Sequence, residues 1–161
     1  MRANTIEPLE PGTWLLQLSK LAESARAAEA DFATSLRRAF HLVQLAPRPL
    51  RNIIVCLVSE REFERLLETG ALLKATVALV GDRVSYRLTR MESDRTEAEV
   101  QCQDDQPSGY GVGSSAPLAL FTAWLEWLLT LHQPEDGGPV WAKCPDRRKS
   151  QSEQRPKLTE H

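Results

Sequence analysis

In the pattern of hydrophobic and polar positions, residues 118–131 form a nearly continuous apolar stretch, where only Thr122, Glu126 and Thr130 are polar. These three residues recur at every fourth position, so on a helix they form one narrow polar stripe. A helix that is apolar on nearly every other side must be covered by several elements. The sequence therefore predicts a core helix over 117–131, with the rest of the chain packed around it.

Apolar positions between residues 13 and 45 alternate by three and four, and Glu29 is the only polar member of the series. This spacing predicts one long amphipathic helix over 13–45, with Thr13 as its N-cap. A coiled coil is one possible use of this helix, but four heptads with an alanine-rich seam favour packing within the same chain. Residues 1–12, with two prolines and a glycine, are predicted to form an irregular leader.

Runs with strand-like character follow in the middle of the chain and predict a three- to four-stranded, mostly antiparallel sheet. Gly81-Asp82 stands between two of these runs and has the length of a hairpin turn. In the strand after it, Val84, Tyr86 and Leu88 are expected to face the core. The predicted strands are 76–80, 83–90 and 97–103, with 53–58 as a possible edge strand.

A short helix is predicted over 60–69. Ser59 and Glu62 have the Ser-x-x-Glu spacing of a capping box, and Gly70 has the residue type that commonly ends a helix. Together these elements predict an α+β domain over 51–132, in which the sheet packs on the apolar C-terminal helix.

The net charge of the chain is close to zero, with 20 basic and 22 acidic residues. This balance does not favour electrostatic binding to nucleic acid or membrane by the whole domain. Residues 133–161 are predicted to form a mostly disordered, mildly basic tail. The start has no apolar secretory run, no segment is long enough to span a membrane, and the three cysteines are widely spaced. A cytoplasmic location is therefore expected.

No pattern of catalytic, cofactor-binding or metal-binding residues emerges. The glycines at 109, 111 and 113 lack the spacing of a dinucleotide or phosphate loop, and are interpreted as a turn that permits positive φ. Ser114 and Ser115 do not form a nucleophile elbow, and the histidines and cysteines are scattered. The sequence therefore predicts a protein that is not an enzyme and carries no cofactor or metal.

A protein-binding role is predicted from the C-terminal helix, because one sheet face can cover only about half of it. Any uncovered part would leave aromatic and leucine side chains exposed, as at protein interfaces. The leading hypothesis is a small cytoplasmic adaptor that acts through an apolar helical surface and self-associates, with a homodimer and a complex with another chain as the two alternatives. Its candidate contact residues are Leu120, Trp124, Trp127 and Leu131.

The predicted order of one helix, three strands and a final helix, followed over about half the chain, resembles that of double-stranded-RNA-binding domains. The approach to the last helix, residues 111–119, is similar to that family's Gly-x-Gly-x-Ser-Lys-Lys-x-Ala motif. Ala116 and Pro117 stand where the family has its two phosphate-contacting lysines. The resemblance thus implies the family's layout without those contacts. The alternative function is a nucleic-acid-binding accessory protein, and its candidate residues are Arg83, Arg87, Arg90, Arg147, Arg148 and Lys149.

Overall fold

The computed structural model describes residues 6–27, 31–102 and 108–131, together with the backbone of 134–135 and 138–139. The described chain has an α+β fold, as predicted: helices surround a three-stranded antiparallel sheet that packs on the C-terminal helix. The helices are α1 (Pro11–Ala27), α2 (Phe32–Gln44), α3 (Arg48–Arg51), α4 (Glu60–Glu68), α5 (Leu72–Val80) and α6 (Ala116–Thr130). The strands are β1 (Val84–Arg90), β2 (Thr96–Cys102) and β3 (Ser108–Gly113), with a two-residue pair β4 (Pro134–Glu135) and β5 (Gly138–Pro139).

Helix α6 forms the centre of the core, as the sequence predicts. Ser115 caps its first turn by accepting a hydrogen bond from the backbone N–H of Leu118. One side of α6 lies on β2 and β3, and other sides contact α1 and α5. An apolar helix of this kind is stable in water because three layers of the same chain cover it.

The polar stripe of α6 is satisfied within the chain. The hydroxyls of Thr122 and Thr130 donate hydrogen bonds to helix carbonyls four and three residues earlier. Glu126 forms an ion pair with Arg26 of α1. Within the stripe, Glu126 therefore faces α1, whereas Thr122 lies beside Gly111 of β3.

The prediction of one helix over 13–45 is wrong, because the structure has two helices there. Helix α1 ends at Ala27, and α2 begins anew after Asp31, whose side chain accepts a hydrogen bond from the backbone N–H of Thr34. The indole N–H of Trp14 in α1 donates to the carbonyl of Leu42 in α2 at 2.8 Å, so the two helices fold back on each other. The heptad-like spacing thus continues across a break in the helix.

Residues 6–10 precede α1 in irregular conformation, and Arg51 holds this leader in place. Its guanidinium donates to the carbonyls of Ile6, Gln44 and Ala46. Gln44 is the last residue of α2 and Ala46 follows its C-cap Leu45, so the guanidinium lies at the helix C-terminus, where a positive charge is favoured by the helix dipole. One side chain thus links the leader to the end of α2.

Two predicted strands are wrong. Residues 76–80 belong to helix α5, whose buried positions include Ala75, Thr76 and Leu79. Gly81, with a φ of 81°, ends this helix instead of forming a hairpin turn. The predicted edge strand 53–58 is an irregular connection, joined to the end of α5 by the bond from Leu57 N–H to the carbonyl of Ala78.

The helix predicted over 60–69 is confirmed as α4. Ser59 accepts a hydrogen bond from the backbone N–H of Glu62, and Gly70 adopts a φ of 71° after the last turn. The side chain of Glu62 does not complete a capping box but pairs with Arg65. Stacking between Phe63 and Phe40 fixes α4 against α2.

Strands β1 and β2 confirm two of the predicted strands and their antiparallel pairing, with Tyr86 opposite Val100 and Arg87 opposite Glu99. The third strand is a correction. Residues 108–113, expected to form a glycine-rich turn, pair with β2 as β3. The expected tail, residues 133–161, lies outside the described residues except for the backbone of β4 and β5.

Candidate binding surface

The four contact residues proposed on the C-terminal helix do not form a surface. Trp124 and Trp127 are each 1% exposed, and Leu120 and Leu131 are fully buried. The sheet, α1 and α5 cover more of α6 than the sequence indicated. In the folded chain these side chains are therefore not accessible to a partner.

The two buried tryptophans each place a polar indole N–H group inside the core. The indole nitrogens of Trp124 and Trp127 have no hydrogen-bond partner among the described residues. A buried N–H without a partner lowers stability by about 1–3 kcal/mol, so packing of the rings must outweigh this cost. Phe121 stacks on the Trp124 ring and contributes to that packing.

Glycines on β3 bring the strand into backbone contact with α6. Gly109, Gly111 and Gly113 occupy alternate positions of the strand. A Cβ atom added to any of them would point at α6. A Cβ atom on Gly113 would lie 2.7 Å from the backbone nitrogen of Ala119. Among the described glycines only Gly70 and Gly81 have positive φ. The glycines of β3 therefore serve close packing, and the predicted turn with positive φ is wrong.

The arginines proposed for nucleic-acid contact lie beside acidic residues. Arg87 stands opposite Glu99, Arg90 forms an ion pair of 2.7 Å with Asp94, and Arg83 lies 3.8 Å from Asp82. A surface of alternating charges does not present the positive field that attracts phosphates. The other three candidates, Arg147, Arg148 and Lys149, lie outside the described residues.

Tyr110 and Val112 of β3 are exposed on the sheet face opposite α6, the same face as Glu97. A hydrogen bond with the carboxylate of Glu97 raises the pKa of Tyr110, because the phenol donates to that carboxylate. This face is therefore a mixed polar surface held together by its own side chains.

Strand β1 is exposed on the other face, where the sheet packs on α6. Tyr86 is 43% exposed although its cross-strand neighbour Val100 is fully buried, and Leu88 is half-buried. The reason is the position of α6, which lies over β2 and β3 and only reaches the border of β1. The expectation that Tyr86 and Leu88 lie in the core is therefore only partly met.

The outer edge of β1 is also unpaired within the described chain, because the strand order is β1-β2-β3. Five of its seven residues are exposed. We call this feature, the outer backbone edge of β1 with the side chains of Tyr86 and Leu88, the β1 edge. An open strand edge offers a row of N–H and C=O groups to another chain.

A separate cleft of about 580 Å³ opens between α2 and the connection that precedes α4. Phe40 and Val43 line one wall, and Ile54, Val55 and Cys56 line the other. Burial raises the pKa of the Cys56 thiol, against the smaller lowering effect of hydrogen bonds with the backbone of Val58 and Leu57. A thiol held in its protonated form is a poor nucleophile, so the cleft has no activated cysteine.

Among the described residues, no three His, Cys, Asp or Glu side chains come together as a set of metal ligands. His41 is exposed on α2, and the other two histidines lie outside the described residues. None of the helices in the described part of the chain has the length and apolar character needed to cross a membrane.

No protein-family model, no curated protein and no solved structure matches this chain. The structure has part of the layout in which the sequence resembles double-stranded-RNA-binding domains. The predicted order begins with the helix at 60–69, which is α4, but α5 lies between this helix and the sheet. An order of one helix, three strands and a final helix is present instead as α5, β1, β2, β3 and α6, with α5 where a strand was predicted and β3 where a loop was predicted. The segment similar to the family motif forms the end of β3 and the start of α6.

Proposed function

We propose that this protein is a non-enzymatic binding protein that contacts another polypeptide through the β1 edge. The observation that supports the proposal is the exposure of Tyr86 beside a fully buried neighbour, Val100. A large aromatic side chain at the border of the core, next to an unpaired strand edge, provides both apolar area and backbone hydrogen-bonding groups.

Strand addition is the binding mode that such a feature suits. An extended segment can pair with an open edge through main-chain hydrogen bonds, and its alternate side chains then lie beside Tyr86 and Leu88. The proposed surface replaces the helical surface predicted from sequence, whose residues are buried. We further propose a cytoplasmic site of action, in keeping with the wide spacing of the three cysteines in the sequence.

Photo-crosslinking tests the proposal with the full chain in its host cells. The photoreactive residue p-benzoylphenylalanine replaces Tyr86 in one variant and Tyr110 in a matched control. Tyr110 is also an exposed tyrosine of the sheet, but it lies on the opposite face. We expect a covalent adduct with a polypeptide from position 86, identified by mass spectrometry, and much less adduct from position 110.

A second change makes this test specific to the β1 edge. Leu88→Asp places a charge on the β1 edge, on the same face as Tyr86, and is expected to abolish the adduct formed from position 86. Equal yields from positions 86 and 110, or an adduct insensitive to Leu88→Asp, would contradict the proposed function.

A further inference from the structure

We infer that the polypeptide at the β1 edge is a second copy of this chain, with the two β1 strands antiparallel and centred on Tyr86. This inference rests on the proposed function and names its partner. Two three-stranded sheets would then join into one continuous six-stranded sheet, related by a twofold axis.

The alternation of side chains limits the registers that two β1 strands can adopt. The apolar side chains of β1 in one copy continue into those of the other only if Tyr86 and Leu88 lie on the same face of the joined sheet in both copies. In the register centred on Tyr86, the two tyrosines face each other and Leu88 faces Val84 of the second copy. Apolar residues thus meet apolar residues at positions 84, 86 and 88 of that face.

Charges distinguish this register from its neighbours. A register centred on Arg87 places two arginines directly opposite each other, which is unfavourable. A register centred on Leu88 places Tyr86 opposite Arg90. The register centred on Tyr86 instead pairs Arg87 with Ser85, and brings no two arginines into opposition within the strand.

Opposite charges also meet at the ends of the strand in this register. Position 90 of one copy lies opposite position 82 of the other, so Arg90 is placed beside Asp82 of the second copy. The side chains of Asp82 and Arg90 are 60% and 80% exposed, so both are accessible to a second copy beside their neighbours in the same chain, Arg83 and Asp94. The twofold axis produces this arrangement twice.

The interface offered by one short strand is small, so a reversible dimer is expected. Disulfide trapping measures the register directly. Residues directly opposite in an antiparallel pair have Cα atoms about 4.5–5.5 Å apart, within disulfide range, whereas diagonal neighbours about 7–8 Å apart fall outside it. Tyr86→Cys is therefore expected to form a covalent dimer in a glutathione redox buffer.

Arg87→Cys is the matched control for this register, because residue 87 faces residue 85 of the second copy and not itself. We expect at least about ten times less covalent dimer from Arg87→Cys, on non-reducing gels. The unsubstituted chain sets the baseline from the native cysteines. A greater yield from Arg87→Cys, or no yield above baseline from Tyr86→Cys, would overturn the inference.

Sedimentation velocity provides the second measurement. Tyr86→Asp is expected to weaken the dimer at least about tenfold, whereas Tyr110→Asp leaves the dissociation constant unchanged. Circular dichroism checks that both variants are folded. A purified chain that stays monomeric at the highest soluble concentration overturns the inference. If position 86 still crosslinks to a different polypeptide in cells, the proposed function stands without it.

Discussion

The backbone of Gly111 in β3 lies directly against the backbone of Ala119 in α6. A Cβ atom on Gly111 would stand 2.5 Å from the Ala119 carbonyl oxygen, closer than real side chains approach. Strand and helix therefore meet backbone to backbone, with Ala119 and Ala123 as the small residues on the helix side. This contact positions α6 over β3 and leaves β1 at the uncovered end of the sheet.

Replacing Gly111 with alanine tests this contact. Because the neighbouring atoms are backbone and cannot move aside easily, Gly111→Ala should lower the free energy of unfolding by about 3 kcal/mol. Urea denaturation followed by circular dichroism measures the change. Gly12→Ala is the control, since an added Cβ there meets no atom within 4 Å. Equal stability of the two variants would contradict the close contact.

The cap of α6 offers a comparison between adjacent serines. Both serines are exposed, but it is Ser115 that accepts the hydrogen bond from Leu118 N–H as the N-cap of α6. Ser115→Ala should therefore lower the free energy of unfolding by about 1 kcal/mol, or the melting temperature by about 3 °C. Ser114→Ala should change stability by less than about 0.5 kcal/mol. A larger loss from Ser114→Ala would show that the assigned cap is wrong.

The raised pKa of Cys56 predicts slow alkylation. Burial keeps the thiol protonated, so at pH 8 iodoacetamide should modify Cys56 more slowly than free cysteine, with mass spectrometry as the measurement. The contribution of the Cys56 thiol to the free energy of unfolding is fully present below the ordinary thiol pKa. It is lost as the pH rises through the raised pKa of the folded chain. Cys56→Ser identifies the reaction at this site. Alkylation faster than that of free cysteine would contradict the burial effect.

Nucleic-acid binding is expected to be absent at the sheet. Arg83, Arg87 and Arg90 each have an acidic neighbour, so duplex RNA should not be retarded in a gel-shift assay at low salt. Steeply salt-dependent binding that Arg87→Ala weakens would instead support the accessory function that the resemblance suggests. Arg38→Ala, at an exposed position of α2, is the control for general charge loss.

The sequence predicts α6, α4 and the β1–β2 pair well, because each has a long periodic pattern or a capping residue. It fails at residues 76–80, where Thr76, Val77 and Val80 have strand-like side chains in a short apolar run. A run of this length is compatible with both structures, and contact with α6 selects the helix. Glycine is common both just after the end of a helix and in hairpin turns, so Gly81 does not decide between a helix and a strand over 76–80.

The candidate surface fails for a related reason. The sequence predicts an uncovered side of α6 that includes Trp124 and Trp127, because one sheet face covers only about half of a helix and residues 76–80 resemble a strand of that sheet. As a helix, α5 covers another side of α6. The exposure of Tyr86 was not predicted, because a strand pattern indicates the inward face but not how far the covering helix extends.

The position of α6 near residue 116 has a consequence for synthesis on the ribosome. The apolar faces of α1, α5 and the sheet are made first, and each depends on a helix that emerges later. At typical elongation rates of about 5–20 residues per second, residues 11–113 spend several seconds without their central helix. We therefore expect nascent chains that end before residue 116 to bind chaperones, and release to follow once residue 131 has left the exit tunnel.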